Sequence, residues 1–174
     1  MYAASRARSI NSTTRNPMEI ERKYLIATLP PLAGVLSNNI LQGYLAIDDT
    51  HEVRLRQIGP DYILTVKVGT GLVRQEHETV ISKQQFSLLW PAVNNRSVSK
   101  VRYYLPDDIS VDIYEGPLAG LTVAEIEFDT VRASDSYIPP HWFGPEVTSD
   151  LRFKNRSLAS AGTIPSIDQD ISKE

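Results

Sequence analysis

The stretch Met18-Glu19-Ile20-Glu21-Arg22-Lys23-Tyr24-Leu25-Ile26 sets Glu19, Glu21 and Lys23 on alternate positions, with Ile20 and Arg22 between them. In a β-strand successive side chains point to opposite faces, so these three charges share one face, and Ile20, Arg22 and Tyr24 share the other. A single strand of this kind reads as a solvated outer surface carrying salt bridges. The rest of the chain changes that reading.

The same two-residue phase recurs downstream. Arg54 and Arg56 flank Leu55, Lys67 lies between Val66 and Val68, and Glu76 pairs with Glu78. Lys100, Arg102 and Tyr104 alternate with Val101, Tyr103 and Leu105; Asp112 separates Val111 from Ile113, and Glu125 and Glu127 flank Ile126. An ordinary outer face would mix such charges with Thr, Ser, Gln and Asn. Here like charges sit two apart on one strand, and two unit charges 4 Å apart repel by about 1 kcal/mol in water and about 4 near a protein surface.

Charged faces turned inward around an enclosed space resolve the conflict only if something compensates them, because burying each ion costs several kcal/mol. The acids Glu19, Glu21, Glu76, Glu78, Asp112, Glu125 and Glu127 suit hard divalent cations, which prefer oxygen ligands. The bases Lys23, Arg54, Arg56, Lys67, Lys100 and Arg102 suit phosphoryl oxygens, which arginine can take two at a time. A metal ion together with a polyphosphate satisfies both sets.

Composition narrows the alternatives. The 174 residues suit one domain, and 22% charged with 8% aromatic residues is ordinary for a globular protein. Cysteine is absent, which removes disulfides, thiolate metal sites and thiol nucleophiles; the three histidines, His51, His77 and His141, have no zinc-binding spacing. A net charge of −3 argues against a general nucleic-acid surface, and no apolar run is long enough for a membrane helix. A small-molecule polyphosphate is therefore the expected partner, without nucleic acid or membrane, and a cytoplasmic setting is the default. Residues 1–17 carry Arg6, Arg8 and Arg15 without an apolar core and are expected to be a disordered tail, with 18–160 the domain and 161–174 a mobile tail.

The spacing predicts antiparallel strands over the charged segments, separated by turns at Ile58-Gly59-Pro60-Asp61, Gly69-Thr70-Gly71, Pro106-Asp107-Asp108 and 116–120. Ser82 and Gln85 form a capping box opening a helix that stops before Pro91. A second helix is expected from near Ser149 through Ser160, with Leu151, Lys154 and Leu158 along one side. Tyr44 and Tyr104 read as amphipathic packing, with hydrogen bonding inside the cavity as the alternative, and Trp90 and Trp142 as core aromatics.

The pattern Glu19-Ile20-Glu21-Arg22-Lys23, followed in order by Arg54-Leu55-Arg56, Thr65-Val66-Lys67, Glu76-His77-Glu78, Lys100-Val101-Arg102, Val111-Asp112 and Glu125-Ile126-Glu127, resembles the CYTH, or triphosphate tunnel metalloenzyme, superfamily, most closely its compact bacterial members. The resemblance covers about residues 18–160. It implies an α+β fold: an eight-stranded antiparallel barrel forming a charged tunnel, helices outside, and a C-terminal helix closing one end. It further implies a phosphate grip of Lys23, Arg54, Arg56, Lys67, Lys100 and Arg102, joined by Lys154 from the closing helix. Glu125 and Glu127, with Glu78 or Asp112, would hold Mg²⁺ or Mn²⁺, and Glu19 and Glu21 a second metal and its water.

Inorganic triphosphate hydrolysis to pyrophosphate and phosphate is the first choice among the family's activities, because the chain shows no extra module for a base or thiazole. Thiamine triphosphatase, class IV-type adenylate cyclase and a noncatalytic polyphosphate or nucleotide sensor are the alternatives. Two routes for activating the water stay open: metal at the Glu19 and Glu21 end, which is the preferred one, or a lysine base as its rival. Lys23 and Lys100 therefore join Glu19 and Glu21 as candidate catalytic residues.

Overall fold

The computed structural model describes residues 20–68 and 75–166. Expectations for residues 1–17, Glu19, the turn at 69–71 and the stretch 167–174 fall outside that range. Nine antiparallel strands form one sheet: β1 (Ile20–Ile26), β2 (Ser37–Ile47), β3 (His51–Ile58), β4 (Asp61–Val68), β5 (Gln75–Val80), β6 (Ser97–Tyr104), β7 (Ile109–Tyr114), β8 (Thr122–Phe128) and β9 (Phe143–Glu146). Their spatial order is β5-β4-β3-β2-β6-β7-β8-β1-β9. The expected α+β fold, an antiparallel sheet with helices packed against it, is thus present; it has nine strands rather than eight, and among the described residues the sheet is not closed, with β5 and β9 as its edges.

All seven charge-bearing segments are strands. Two further strands were not read from the sequence. β2 carries no charge and hides its alternation behind Asn38, Gln42 and Gly43, while β9 is four residues with Gly144 and Pro145 inside it. β2 nevertheless sits mid-sheet, pairing with β3 on one side and β6 on the other. One limb of the sheet is therefore β3-β4-β5 and the other β6-β7-β8-β1-β9.

Turn chemistry agrees with the sequence. Gly59 and Pro60 link β3 to β4, with Gly59 at φ +54. Between β6 and β7, Asp107 and Asp108 are both left-handed (φ 62 and 57), and Ile109 N–H donates to the Pro106 carbonyl at 3.3 Å. Two successive left-handed residues make the turn whose twist matches antiparallel strands.

Helices cover the outer face. Helix α1 (Lys83–Leu89) opens with the expected capping box: Ser82 Oγ accepts from Gln85 N–H at 3.1 Å, and Gln85 Oε1 accepts from Ser82 N–H at 2.8 Å. It continues through Pro91 as a 3₁₀ turn (Trp90–Val93), since proline is tolerated in a first turn where its missing N–H is not needed. Phe86, stacked on Trp90 at 5.0 Å, packs with Leu55, Val93 and Leu64 over β2, β3 and β4. Over β1 and β8 lies α2 (Val131–Ser136), and Tyr24, Ala124, Ile126 and Phe143 of the edge strand β9 form the apolar cluster on this face. Arg22 ties this layer down, its Nε donating to Glu146 at 3.0 Å and its Nη1 to the Ser134 carbonyl at 2.9 Å.

The expected C-terminal helix is two pieces, a 3₁₀ turn (Leu151–Phe153) and α3 (Asn155–Ala161). Asp150 caps the turn by accepting from Arg152 N–H at 3.0 Å, and Lys154 is extended (φ −69, ψ 138) before its carbonyl starts α3. Leu151, Lys154 and Leu158 therefore do not line one side: Leu151 is exposed and Leu158 fully buried.

Gly43 sits where the 3₁₀ turn presses on β2: a Cβ there would lie 2.7 Å from Val93 Cγ1 and 2.9 Å from Trp90. Gly43→Ala should destabilise the protein by about 1–3 kcal/mol through overpacking, read as a lowered thermal midpoint.

Candidate active site on the inner face

Alternation places one set of side chains on the inner face, and along each strand that face changes character at a two-residue step. Lys23 gives way to Leu25, Lys100 to Val98, Asp112 to Tyr114 and Glu125 to Val123. The apolar half joins Phe153, Leu158 and Ala159 from the C-terminal pieces, together with Leu118, Leu121 and Val147. Helix α3 thus plugs one end of the face. The ionic half lies beyond the plug.

On the β6-β7-β8-β1 limb the charges interlock. Asp112, fully buried, accepts from Arg102 Nε at 2.7 Å and Nη2 at 2.6 Å, and from Lys100 Nζ at 2.5 Å. Glu125 receives Arg102 Nη2 on one oxygen and Lys23 Nζ, at 2.8 Å, on the other. Lys23 also donates to the Phe153 carbonyl at 3.3 Å, which joins the ionic half to the plug. Lys100 Nζ lies 5.1 Å from the Tyr114 ring centre, and Tyr114 Oη donates to Asn155 Oδ1 at 2.6 Å.

Burial sets the electrostatics of this limb, and the partners then divide the outcomes. Burial alone would raise the two carboxyls, but Arg102 and Lys100 hold Asp112 below the usual range, and Lys23 and Arg102 hold Glu125 well below it. Burial also lowers Lys23, yet Glu125 and Glu21 more than offset it and leave the ammonium raised. For Lys100 burial wins: with Asp112 pulling upward and Arg102 adding to the fall, its pKa is pushed down to about 8. One buried lysine is therefore firmly charged and the other is poised to lose its proton near neutrality.

On the β3-β4-β5 limb Arg54 Nη2 reaches Glu78 at 3.3 Å, Glu76 at 3.6 Å and Thr65 Oγ1 at 3.2 Å, and Lys67 pairs with Glu76 at 3.0 Å. Arg54 Nε is buried without a hydrogen-bond partner among the described residues. Between the limbs, Arg56 Nε donates to Gln42 Oε1 at 2.9 Å, and Gln42 Nε2 donates to Tyr44 Oη at 2.6 Å. The Tyr44 hydroxyl therefore does more than pack. Burial, with the like charges of Arg54 and Arg102, pushes Arg56 down to about 10.

The six strand cations predicted from the sequence thus share one face, as do Glu21, Glu76, Glu78, Asp112, Glu125 and Glu127. Lys154 instead stands at the break before α3, half-buried. Among the described residues no three Asp, Glu or His side chains converge as a ready cation site. Glu21 and Glu127, however, stand directly opposite each other across the β1–β8 ladder. Sequence reasoning missed Gln42, Tyr114 and Asn155, and also Glu52, buried two residues before Arg54. For Gln42 and Tyr114 the available signal was phase: each is two residues from an inner-face position on its own strand or its neighbour. Asn155 had no such signal.

No protein-family model matches the chain. An inorganic triphosphatase from Nitrosomonas europaea is 46% identical over 146 residues, spanning 81% of this chain and 96% of that protein. A crystal structure of an inorganic triphosphatase shares 43% identity at a TM-score of 0.67, covering 86% of this chain and 97% of that one. A Hippeastrum protein, described as an adenylyl cyclase with a dominant triphosphatase activity, matches at a TM-score of 0.51 and 12% identity over 87% of this chain and 99% of that one, a likeness of fold alone. The ordered charges of the inner face, the nine-stranded sheet and a 46% identical relative lead to one conclusion: the chain belongs to the CYTH, or triphosphate tunnel metalloenzyme, superfamily.

Proposed function

We propose that this chain, through its 18–160 domain, hydrolyses inorganic triphosphate to pyrophosphate and phosphate on the inner face of its sheet, with a divalent cation bound. The observation that carries the reading is the gathering of Lys23, Arg54, Arg56, Lys67, Lys100 and Arg102 on one largely buried face, closed at one end by α3. A multiply charged, compact anion compensates such a face. The name of the 46% identical relative supports the same substrate.

The acidic residues divide in this reading. Asp112 and Glu125 hold Lys23, Lys100 and Arg102 in place, and Glu76 and Glu78 do so for Arg54 and Lys67. The cross-strand pair Glu21 and Glu127 fits Mg²⁺ or Mn²⁺: like charges directly opposite destabilise a ladder, and Mg²⁺ typically takes one or two carboxylates and fills its shell with phosphate oxygens and water. Glu19, outside the described residues, is a further carboxylate for that cation in this proposal on the sequence pattern alone. When bound, the cation would neutralise charge on the phosphoryl oxygens.

Chemistry then needs positioning and one proton acceptor. The arginines fix the phosphoryl oxygens, which holds the terminal phosphorus for in-line attack. Lys100, deprotonated above a pKa of about 8, accepts the proton of the attacking water. The bond between the terminal phosphorus and the bridging oxygen breaks, and pyrophosphate leaves with its charge held by the neighbouring cations.

Three outcomes test this. With Mg²⁺ present, a panel of triphosphate, pyrophosphate, ATP and thiamine triphosphate should show strong preference for free triphosphate; cyclic AMP from ATP would replace the reading by a cyclase, and binding without any product by a sensor. Lys100→Arg keeps the charge but cannot surrender its proton, so kcat should fall by roughly 10²–10⁴ while triphosphate affinity stays within a few-fold. The sign of the pH profile is also decided: as a base, Lys100 is useless while protonated, so kcat/KM should climb below about pH 8 and level off above it. A fall above pH 8 would assign Lys100 to the phosphate grip alone.

A further inference from the structure

We propose that Gln42 is a positioning residue for triphosphate binding, aiming the Arg56 guanidinium into the inner face while leaving its charge unneutralised. The inference rests on the triphosphate reading of that face.

Gln42 is 1% exposed at the middle of β2, in register with Arg56 on β3. A buried amide is costly unless its hydrogen bonds are made. Both ends are engaged here, and the partners fix its orientation. A guanidinium has donors only, so the group facing Arg56 Nε at 2.9 Å must be the amide oxygen, and the amide nitrogen must donate to Tyr44 Oη at 2.6 Å. The Tyr44 ring is itself buried in the apolar plug, so the amide is held from the rigid side.

The consequence lies in what Arg56 lacks. Among the described residues, Lys23, Arg54, Lys67, Lys100 and Arg102 each have a carboxylate within salt-bridge distance, and Arg56 has none. Gln42 occupies one of its five N–H donors with a neutral acceptor. That leaves the two terminal amino groups, the pair that grips a phosphoryl group bidentately, without a competing anion. The pKa of Arg56 is lowered first by burial and then by Arg54 and Arg102, against a smaller opposing pull from Glu78, which lies beyond salt-bridge distance. A glutamate at position 42 would fill the same volume and accept the same hydrogen bond, but it would neutralise the cation in advance. The choice of amide over carboxylate thus separates aiming from neutralising.

Gln42→Glu tests that separation, with Gln42→Met as a second variant that keeps volume and removes both hydrogen bonds. Four quantities are needed for each: kcat and KM for triphosphate with Mg²⁺, the Kd of triphosphate by calorimetry without metal, and the thermal midpoint. Gln42→Glu should raise KM and Kd by roughly tenfold or more with kcat changed less than threefold, since the arginine then spends its charge on the introduced carboxylate. That penalty should shrink as pH falls and the carboxylate protonates. Gln42→Met should raise KM by about fivefold without that pH dependence. A lowered thermal midpoint and kcat with unchanged KM and Kd in both variants would reduce Gln42 to a packing residue and overturn the proposal, as would wild-type Kd for Gln42→Glu. If the unmodified protein neither binds nor cleaves triphosphate, the parent reading fails first, and the variants are not what reveals it.

Discussion

Asp112 holds the working half of this molecule together. Fully buried, it takes three hydrogen bonds from Arg102 and Lys100, and through Arg102 it is joined to Glu125 and so to Lys23. Four strands, β6, β7, β8 and β1, are stitched at one level by this chain of ions. Removing one partner from such a network leaves an uncompensated buried charge, at a cost of about 3–5 kcal/mol. Well-packed apolar residues in the place of such a network are often as stable or more so, so stability alone does not account for the arrangement. It keeps three cations buried, charged or nearly so, and aimed at one space.

From that constraint the rest of the architecture follows. Buried cations need compensating partners, and the apolar half of the same face packs on α3 and the 3₁₀ turn before it. The two halves touch at Lys23, whose ammonium bonds Glu125 and the Phe153 carbonyl. Burial then acts unevenly. Two acids and two lysines sit in one buried cluster, yet of the two lysines only Lys100 is lowered, to about 8, because desolvation, with Arg102 adding to it, outweighs the pull of Asp112 and Glu125. The opposite limb, with Glu76 and Glu78, keeps Arg54 and Lys67 paired by longer contacts. Arg56, between the limbs, is left to Gln42.

Much of this was legible before any coordinates. Period-two alternation is a local property of a chain, so the shared face of Glu21 and Lys23, of Arg54 and Arg56, and of Lys100 and Arg102 could be read directly. Turn chemistry is local too, and Gly59-Pro60, Asp107-Asp108 and the Ser82 capping box behaved as their residue types require. What escaped was whatever lacked a local marker. β2 has polar residues on its inner face but no charge, so its central place in the sheet was invisible. The single C-terminal helix was expected from apolar spacing that runs straight through Lys154, whereas capping by Asp150 and burial of Phe153 against the plug break it there.

Sequence by itself determined which side chains share a face and which chemistry that face suits, because both depend on spacing and residue type alone. Tertiary structure decided how the face is used. It left the sheet open among the described residues rather than closed, set Asp112 on two cations, lowered Lys100 but not Lys23, and gave Arg56 an amide in place of a carboxylate. Each of these depends on distances of a few ångströms between strands far apart in the chain, and on how much water remains between them, which no local pattern encodes.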